Sequence, residues 1–489
     1  MDPVSSALVS LRRVHIAAPM GKLGAVEDAE KSVLVFKHVP LSTSTHFVAI
    51  AVWLHKVTND SKSISHLPPI PVAKMDREQR IAQHNAIKTQ LQTLTDAVNA
   101  YSTTFEKNSA SDDLEAIGQI SQCQVAMTES VKQMQSAIYG PLNMVMLHYE
   151  ECFRSSSLRT LLEMGVFDTL PADGSEMSAG ELAKKLGVDE ALLVRLMRIV
   201  IPTFFEEPRP EVYTHTPNSR VYLELPLRAN FKMMYDETCF ASMKMTEFFK
   251  KNGYINPDSR GNNPYTYAHD TKGLSMFDFL LQNPARFKNF NDAMQARSSQ
   301  TSLPYDLFPF KNKLDEVETT DETVLLVDVG SGIGQATLAI REACQDVKGN
   351  IVMQDQKEVI EGIADPLPTG VVGMAHDFFT PQPVKGALYY YIHRCLHDWP
   401  DSDCLLILQH LAAAMTPGVS RLLISEIVMP VGPVDIQTAW SDINMLTFSG
   451  VERSEKQWRE LLDSAGLRIV SMHGEGGGCW FRVLEIVHK

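Results

Sequence analysis

Paired cysteines, long apolar runs and an excess of basic residues are all missing from this chain. Lysine and arginine total 45 against 59 aspartates and glutamates, a formal net charge of -14. A surface this acidic argues against general binding of nucleic acid or of an anionic membrane. The seven cysteines are scattered and none forms a Cys-x-x-Cys pair. The odd count and the spacing predict a reducing, intracellular setting, taken as cytoplasmic, and no zinc site. No metal-ligand cluster of any other kind is visible. No apolar run reaches the ~18 residues that a membrane span needs. The longest early one, Phe47 to Leu54, is predicted as a strand or a buried turn of helix. Asp2 and the lack of a long apolar core speak against a secretory signal. Arg12 and Arg13 among serines resemble a transit peptide only faintly, because the helical apolar face there is poor. Internal repeats and low-complexity stretches are absent too.

What is present is enough for two or three domains: 489 residues, 44% of them hydrophobic. The stretch before about residue 75 lacks clear periodicity. It ends in a proline-bearing linker at 66–74, since proline cannot enter a helix interior. From Asp76 the pattern turns helical, with Ile81, Ile87, Leu91, Leu94 and Val98 on one face. A second helix is predicted over 113–137, stopping at Gly140 and Pro141, and a third over 142–164. Ser178 with Glu181 forms a capping-box pattern, Gly187 makes a turn, and Asp189 starts another helix. The alternation over 211–224 predicts a β wing behind it, so this part reads as a winged helix-turn-helix. Helices are predicted to resume through about Arg297.

After Leu314 short apolar runs alternate with helical stretches. Strands are predicted at 324–329, 350–354, 371–375, 386–392, 421–427, 467–473 and 480–487, with helices at 333–344, 402–415 and 455–465 between them. That alternation means an α/β domain with a doubly wound, mostly parallel seven-stranded sheet, Rossmann-like in plan. Its first strand opens into "DVGSGIGQ", with Gly330, Gly332 and Gly334 in the turn. A dinucleotide fingerprint wants glycine at the sixth place, where this chain has Gln335, and no Gly-Lys-Ser/Thr ending follows for a phosphate loop. The glycines still let a ligand press against the backbone at a helix N-terminus. Asp355 ends the second strand, where a carboxylate can accept hydrogen bonds from both ribose hydroxyls. Asp377 follows the third, placed to accept an adenine amine, with Phe378 against the ring. The fourth strand leads into "HRCLHDWPD".

Taken in order, "DVGSGIG", "QD", "HDFF", "LHDWPD" and "ERSEKQW" resemble the class I S-adenosylmethionine-dependent O-methyltransferases, and within them the plant caffeic-acid type and its fungal relatives in secondary metabolism. The resemblance covers roughly residues 80–489. It implies S-adenosylmethionine as cofactor, bound by Gly330, Gly332, Asp355, Asp377 and Phe378. It also implies His397 as general base, flanked and oriented by Glu426 and Glu452. By the same resemblance 76–225 is a helical and winged-helix dimerisation domain, 226–314 a helical substrate wall, and 315–489 the catalytic domain. Residues 1–75 match nothing in the family pattern. The implied acceptor is a small aromatic molecule with a phenolic or enolic hydroxyl, and the implied assembly is a homodimer. Tyr265, Tyr267, Met276, Phe277, Phe279, Trp440, Met445 and Phe448 are expected to line the acceptor side. Plant members carry a lysine where this chain has His393, followed by Arg394, which leaves open whether either touches the cofactor.

Three rival readings remain. A winged helix also suits a transcription regulator, but Arg195 and Arg198 sit on a mostly apolar helix in an acidic chain. A dehydrogenase wants a small residue at Gln335. A cofactor-binding pseudoenzyme does not need His397, Glu426 and Glu452 together. An N or carboxyl acceptor stays open as an alternative to a hydroxyl.

Overall fold

The computed structural model describes residues 75–489 apart from 112–113, 301–306, 364–365 and 475–479. The N-terminal extension, the 47–54 run and the proline linker lie outside the described residues. The first described helix, Arg77–Asn108, starts from a capping box: Asp76 accepts the Gln79 N–H at 2.8 Å, and the Gln79 side chain accepts the Asp76 N–H at 3.0 Å. The second and third predicted helices are one element, Leu114–Met164, broken at Gly140 with φ 68° and ψ 168°. Pro141 forbids a helical partner before it, and glycine takes the positive φ freely.

Ser178 and Glu181 close the second capping box and Gly187 ends the helix Ala179–Leu186 at φ 67°. Asp189 caps Glu190–Val200, whose apolar side (Leu193, Val194, Met197, Val200) is spent in the local core with Leu161, Phe167 and Leu182. Arg195 and Arg198 are on its solvent side. The wing is smaller than predicted and begins earlier. Strands β1 (Met177–Ser178), β2 (Phe205–Arg209) and β3 (Val212–His215) form a sheet in the order β1-β3-β2. Residues 217–223 are helical, not strand. Thr216 accepts the Ser219 N–H and Pro217 occupies the first helical position, so a local helix start overrides the alternating pattern.

The large sheet holds β4 (Val324–Val329), β5 (Asn350–Asp355), β6 (Val371–Ala375), β7 (Tyr389–His393), β8 (Arg421–Ile427), β9 (Leu467–His473) and β10 (Phe481–His488). Their order is β6-β5-β4-β7-β8-β10-β9, and β10 alone runs against its neighbours. The fourth predicted strand starts late, at Tyr389, because Gly386 turns the chain at φ 68°. Side chains alternate between two apolar layers: Val327, Tyr390 and Ile392 face one, Leu326, Tyr389 and Tyr391 the other. Burial on both faces explains the near-continuous apolar runs. The strand order reverses between β4 and β7, and the carboxyl ends of the parallel strands beside that switch face one crevice, where ligands bind in open α/β sheets.

Candidate active site

Five strand ends deliver the site. β4 ends in the glycine turn, where Gly330, Gly332 and Gly334 all have positive φ (74°, 56° and 88°). They differ in what surrounds them. A Cβ on Gly330 would stand 2.6 Å from Cys395 Sγ, whereas one on Gly332 meets nothing within 4 Å. Gly330 is therefore constrained by protein and Gly332 opens onto free space. Asp328, buried beneath the turn, accepts the Thr337 hydroxyl at 2.5 Å and ties the strand to the helix Gln335–Ala343. Burial pushes its carboxyl up to about 7.

β5 delivers Asp355. One of its oxygens accepts the Gly332 N–H at 2.8 Å and the other the Gln356 N–H at 2.7 Å. Burial raises its pKa, partly offset by those two bonds. After β6, exposed Asp377 accepts the Phe379 N–H at 3.0 Å, so its carboxylate shapes the turn that carries Phe378. A Cβ on Gly330 would lie 3.8 Å from the Phe378 ring, which places Phe378 beside the glycine turn. These groups fit an adenosyl ligand. Gly332 leaves a gap that any side chain would fill, and both Asp355 oxygens keep acceptor capacity beside it.

β7 delivers His397 through a short turn, Leu396–Asp398. The imidazole is buried, with Nδ1 3.0 Å from Glu452 Oε1 and Nε2 3.4 Å from Asp398 Oδ1. The two glutamates act on different atoms. Glu452 meets the ring. Glu426, at the end of β8, accepts the backbone N–H groups of Cys395, Leu396 and His397 on Oε1 at 3.1, 3.0 and 3.3 Å. The expectation that both carboxylates orient the ring thus meets a different geometry: Glu426 fixes the turn by filling its nest of three N–H groups. Its Oε2 has no hydrogen-bond partner among the described residues, and Arg394 Nη1 lies 3.7 Å away.

Their electrostatics diverge accordingly. Burial raises the Glu426 pKa, although His397 and Arg394 pull against it. Burial also works to raise Glu452, but His397, Arg394 and the Ser441 hydroxyl prevail and bring it down to about 2. For His397, burial and Arg394 favour the neutral ring, yet Glu426, Asp398 and Glu452 outweigh them and its pKa is raised. His393 is dominated by burial, with Arg394 adding to it, and falls to about 3.

Four groups around this turn have contacts that the sequence does not assign, although it singles out Arg394. Arg394 Nη1 bonds both Glu452 oxygens, at 3.0 and 3.3 Å. Ser441 donates to Glu452 Oε1 at 2.8 Å, and Asp442 accepts the Glu452 N–H at 3.1 Å. Arg453, 1% exposed, holds the carbonyls of Leu396 and Trp399 at 3.0 and 2.8 Å and pairs with Asp401. Arg453 lies inside the "ERSEKQW" run, but a buried arginine looks like a surface one in sequence. Nothing in the pattern around Ser441 and Asp442 marks them.

Of the residues expected to line the acceptor, Met276, Met445 and Phe448 are buried together, with Phe277 and Phe279 packed on them. Tyr265 belongs to that cluster but is not a free ring face. It is fully buried, and its hydroxyl donates to Glu237 at 2.6 Å, where Arg286 also binds in a fork at 2.7 and 2.6 Å. Tyr267 and Trp440 are exposed, at 37% and 49%.

The sheet order, the glycine turn with Asp355 beside it, and the buried histidine at the next strand end define a class I methyltransferase. Residues 256–468 match the O-methyltransferase domain family and residues 146–224 its dimerisation domain. The chain is similar to O-methyltransferase afvC of Aspergillus flavus, 43% identical over 72% of this chain and 84% of that protein. It is similar also to O-methyltransferase kntB of Aspergillus niger, 38% identical over 83% of this chain and 98% of the other. Among solved structures it resembles OxaC in complex with SAH and oxaline, with 30% identity, a TM-score of 0.73, and coverage of 82% of this chain and all of that one. This chain belongs to the O-methyltransferase family, fungal secondary-metabolism branch, whose methyl donor is S-adenosylmethionine.

Proposed function

We propose that the enzyme methylates a phenolic or enolic hydroxyl of an aromatic natural product, with His397 as general base and Glu426 and Glu452 holding it. The observation that carries this is the His397 turn. It is a buried imidazole fixed through Nδ1 by Glu452, so the proton would be taken on Nε2, which lies 3.4 Å from Asp398 Oδ1. A phenol near pKa 10 and an imidazole raised above its usual range by the facing carboxylates are close enough for proton transfer as the methyl moves, whereas an aliphatic alcohol is not. S-adenosylmethionine supplies the methyl carbon, whose bond to the sulfonium breaks as the acceptor oxygen bonds to it. The hydroxyl proton goes to His397 Nε2. The positive charge passes from the sulfonium to the imidazolium, where Glu452 on Nδ1 faces it, and the methyl transfer itself loses its charge separation beside the apolar Met276, Met445 and Phe448. Asp355 would hold the ribose hydroxyls, Gly330 and Gly332 the close backbone approach, and Asp377 and Phe378 the adenine.

The division into a dimerisation part over 76–225, a wall over 226–314 and a catalytic part over 315–489 belongs to the same reading. So does a homodimer through the helix Leu114–Met164. After its kink this helix exposes Leu142, Val145, Met146, Tyr149 and Phe153 at 64, 50, 54, 57 and 65%. Their three- and four-residue spacing makes one apolar stripe, as an obligate interface has. No helix among the described residues is long and apolar enough to cross a membrane.

The test is a product panel: S-adenosylmethionine with phenols, carboxylic acids, amines and aliphatic alcohols of similar size, read by mass. Methylation of phenols that collapses in His397→Ala is the expected result. A carboxylate needs no base, so methylation confined to carboxylates or amines overturns the proposal.

A further inference from the structure

Arg394 is an expensive residue for its place. It sits directly after β7 with φ 52°, a conformation that glycine or asparagine adopts more readily than arginine. Strain of this kind persists where the surroundings demand it, and it clusters at functional sites. The demand here is for a cation. Arg394 Nη1 stands 3.0 Å from Glu452 Oε1, the same oxygen that lies 3.0 Å from His397 Nδ1 and accepts from Ser441 at 2.8 Å. The same nitrogen is 3.7 Å from Glu426 Oε2, which lacks a hydrogen-bond partner among the described residues.

The charges facing His397 come from every side of the turn. Glu426 comes from β8, and Glu452 from the segment after the helix Ile436–Leu446. Asp398 comes from the turn itself, and His393 and Arg394 from the end of β7. Asp442 is one bond further out, on the Glu452 N–H. Arg453 is bound to Asp401 and to carbonyls of the turn. Against Glu426 and Glu452, Arg394 is the permanent cation in direct reach among the described residues. With it, a neutral His397 leaves those two carboxylates one charge in excess. Without it the excess is two, and the ring nitrogen is the group at hand to take a proton.

We propose that Arg394 is a positioning residue that holds down the proton affinity of His397 by occupying Glu452, so that the ring reaches its neutral, proton-accepting form at a lower pH than the facing carboxylates alone would allow. This rests on the reading of His397 as the base. Arg394 and the imidazole both stand 3.0 Å from one carboxylate oxygen, and the guanidinium, which never deprotonates, competes for its charge at every pH.

The test uses the full-length enzyme and two variants. Arg394→Asn removes the cation while suiting the left-handed backbone, and Arg394→Lys keeps it. Histidine ring carbons are labelled, the His397 signal is assigned by its loss in His397→Ala, and its titration is followed by NMR alongside kcat against pH. In Arg394→Asn the ring pKa should rise by about one unit, which is about tenfold in the neutral fraction. The acid limb of kcat should move by the same amount, so that turnover lost at neutral pH returns under alkaline conditions. Arg394→Lys should restore most of both, and the dissociation constant of S-adenosylmethionine should stay put. An unmoved His397 titration in folded Arg394→Asn overturns the proposal. So does an equal loss of turnover at every pH, or a loss of cofactor affinity in place of the shift. A ring pKa that moves while the kcat profile does not overturns the reading of His397 as base instead, and the two failures are thereby told apart.

Discussion

Two turns at the same sheet edge are built by opposite means. The turn after β4 is made of backbone: Gly330, Gly332 and Gly334 take positive φ, and Gly332 faces open space. The turn after β7 is made of side chains. Glu426 fills its three N–H groups, Arg453 holds two of its carbonyls, and Glu452 grips the imidazole. A backbone cradle can press close to a ligand but cannot exchange protons. A side-chain cage can tune a proton but leaves little room. In the proposed function the first turn binds and the second does the chemistry, and each variant below sets one against the other.

The largest effect belongs to the second turn. His397→Ala should lose about 10²–10⁴-fold in turnover while cofactor affinity measured by calorimetry is kept. A variant with near-wild-type turnover, chemistry being rate-limiting, leaves only proximity and desolvation as the mechanism. Because the His397 pKa is raised, the neutral base appears only as pH rises through that value, so wild-type kcat should climb with pH on the acid side. A flat profile there breaks the assignment.

Asp355→Ala should do the reverse, weakening S-adenosylmethionine binding by roughly 1.5–3 kcal/mol, the value of hydrogen bonds to a charged group. Unchanged affinity removes Asp355 from the cofactor side. The two glycines then split binding from folding within one turn. Gly330→Ala forces a Cβ to within 2.6 Å of Cys395 Sγ at positive φ, so a lower melting temperature is expected, from about 1–2 kcal/mol of backbone strain plus the clash. Gly332→Ala carries the strain without the clash, so its loss should fall mainly on cofactor affinity; equal melting temperatures for the two variants would contradict this. The smallest effect concerns pH and binding. Burial raises the Asp355 pKa, so protons compete with the ligand as pH falls through that value, and cofactor affinity should drop there and hold above it. An affinity independent of pH across the acid range, in wild type and Asp355→Asn alike, counts against a carboxylate contact.

Much of this edge is legible in the amino-acid sequence. The runs at 324–329 and 421–427 coincide with β4 and β8, because strands buried on both faces are written as near-continuous apolar stretches between turn residues, and the run at 467–473 coincides with β9, an edge strand whose burial is partial. The caps at Ser178 and Asp189 are legible because capping is a contact between near neighbours. The β expectation for 211–224 fails at Thr216 and Pro217, where a local helix start outweighs the alternation. The separate roles of Glu426 and Glu452 are not legible, since 25 residues of chain, a helix among them, lie between the two and only folding decides which atom each one meets. Tyr265 looks like a ring face in sequence, and nothing in its neighbours shows that Glu237 claims its hydroxyl.

The sequence by itself determined the α/β plan, the glycine turn and the chemistry of the groups at the strand ends, because these follow from short-range periodicity and residue type. Tertiary structure alone decided which carboxylate touches the imidazole and that Arg394 stands between Glu452 and Glu426. It also decided that Arg453 is buried as a clamp rather than solvated. The physical reason is that charge acts over a few ångströms of space, and the residues that share that space come from β7, β8 and the segment after Ile436–Leu446, which meet only when the sheet is assembled.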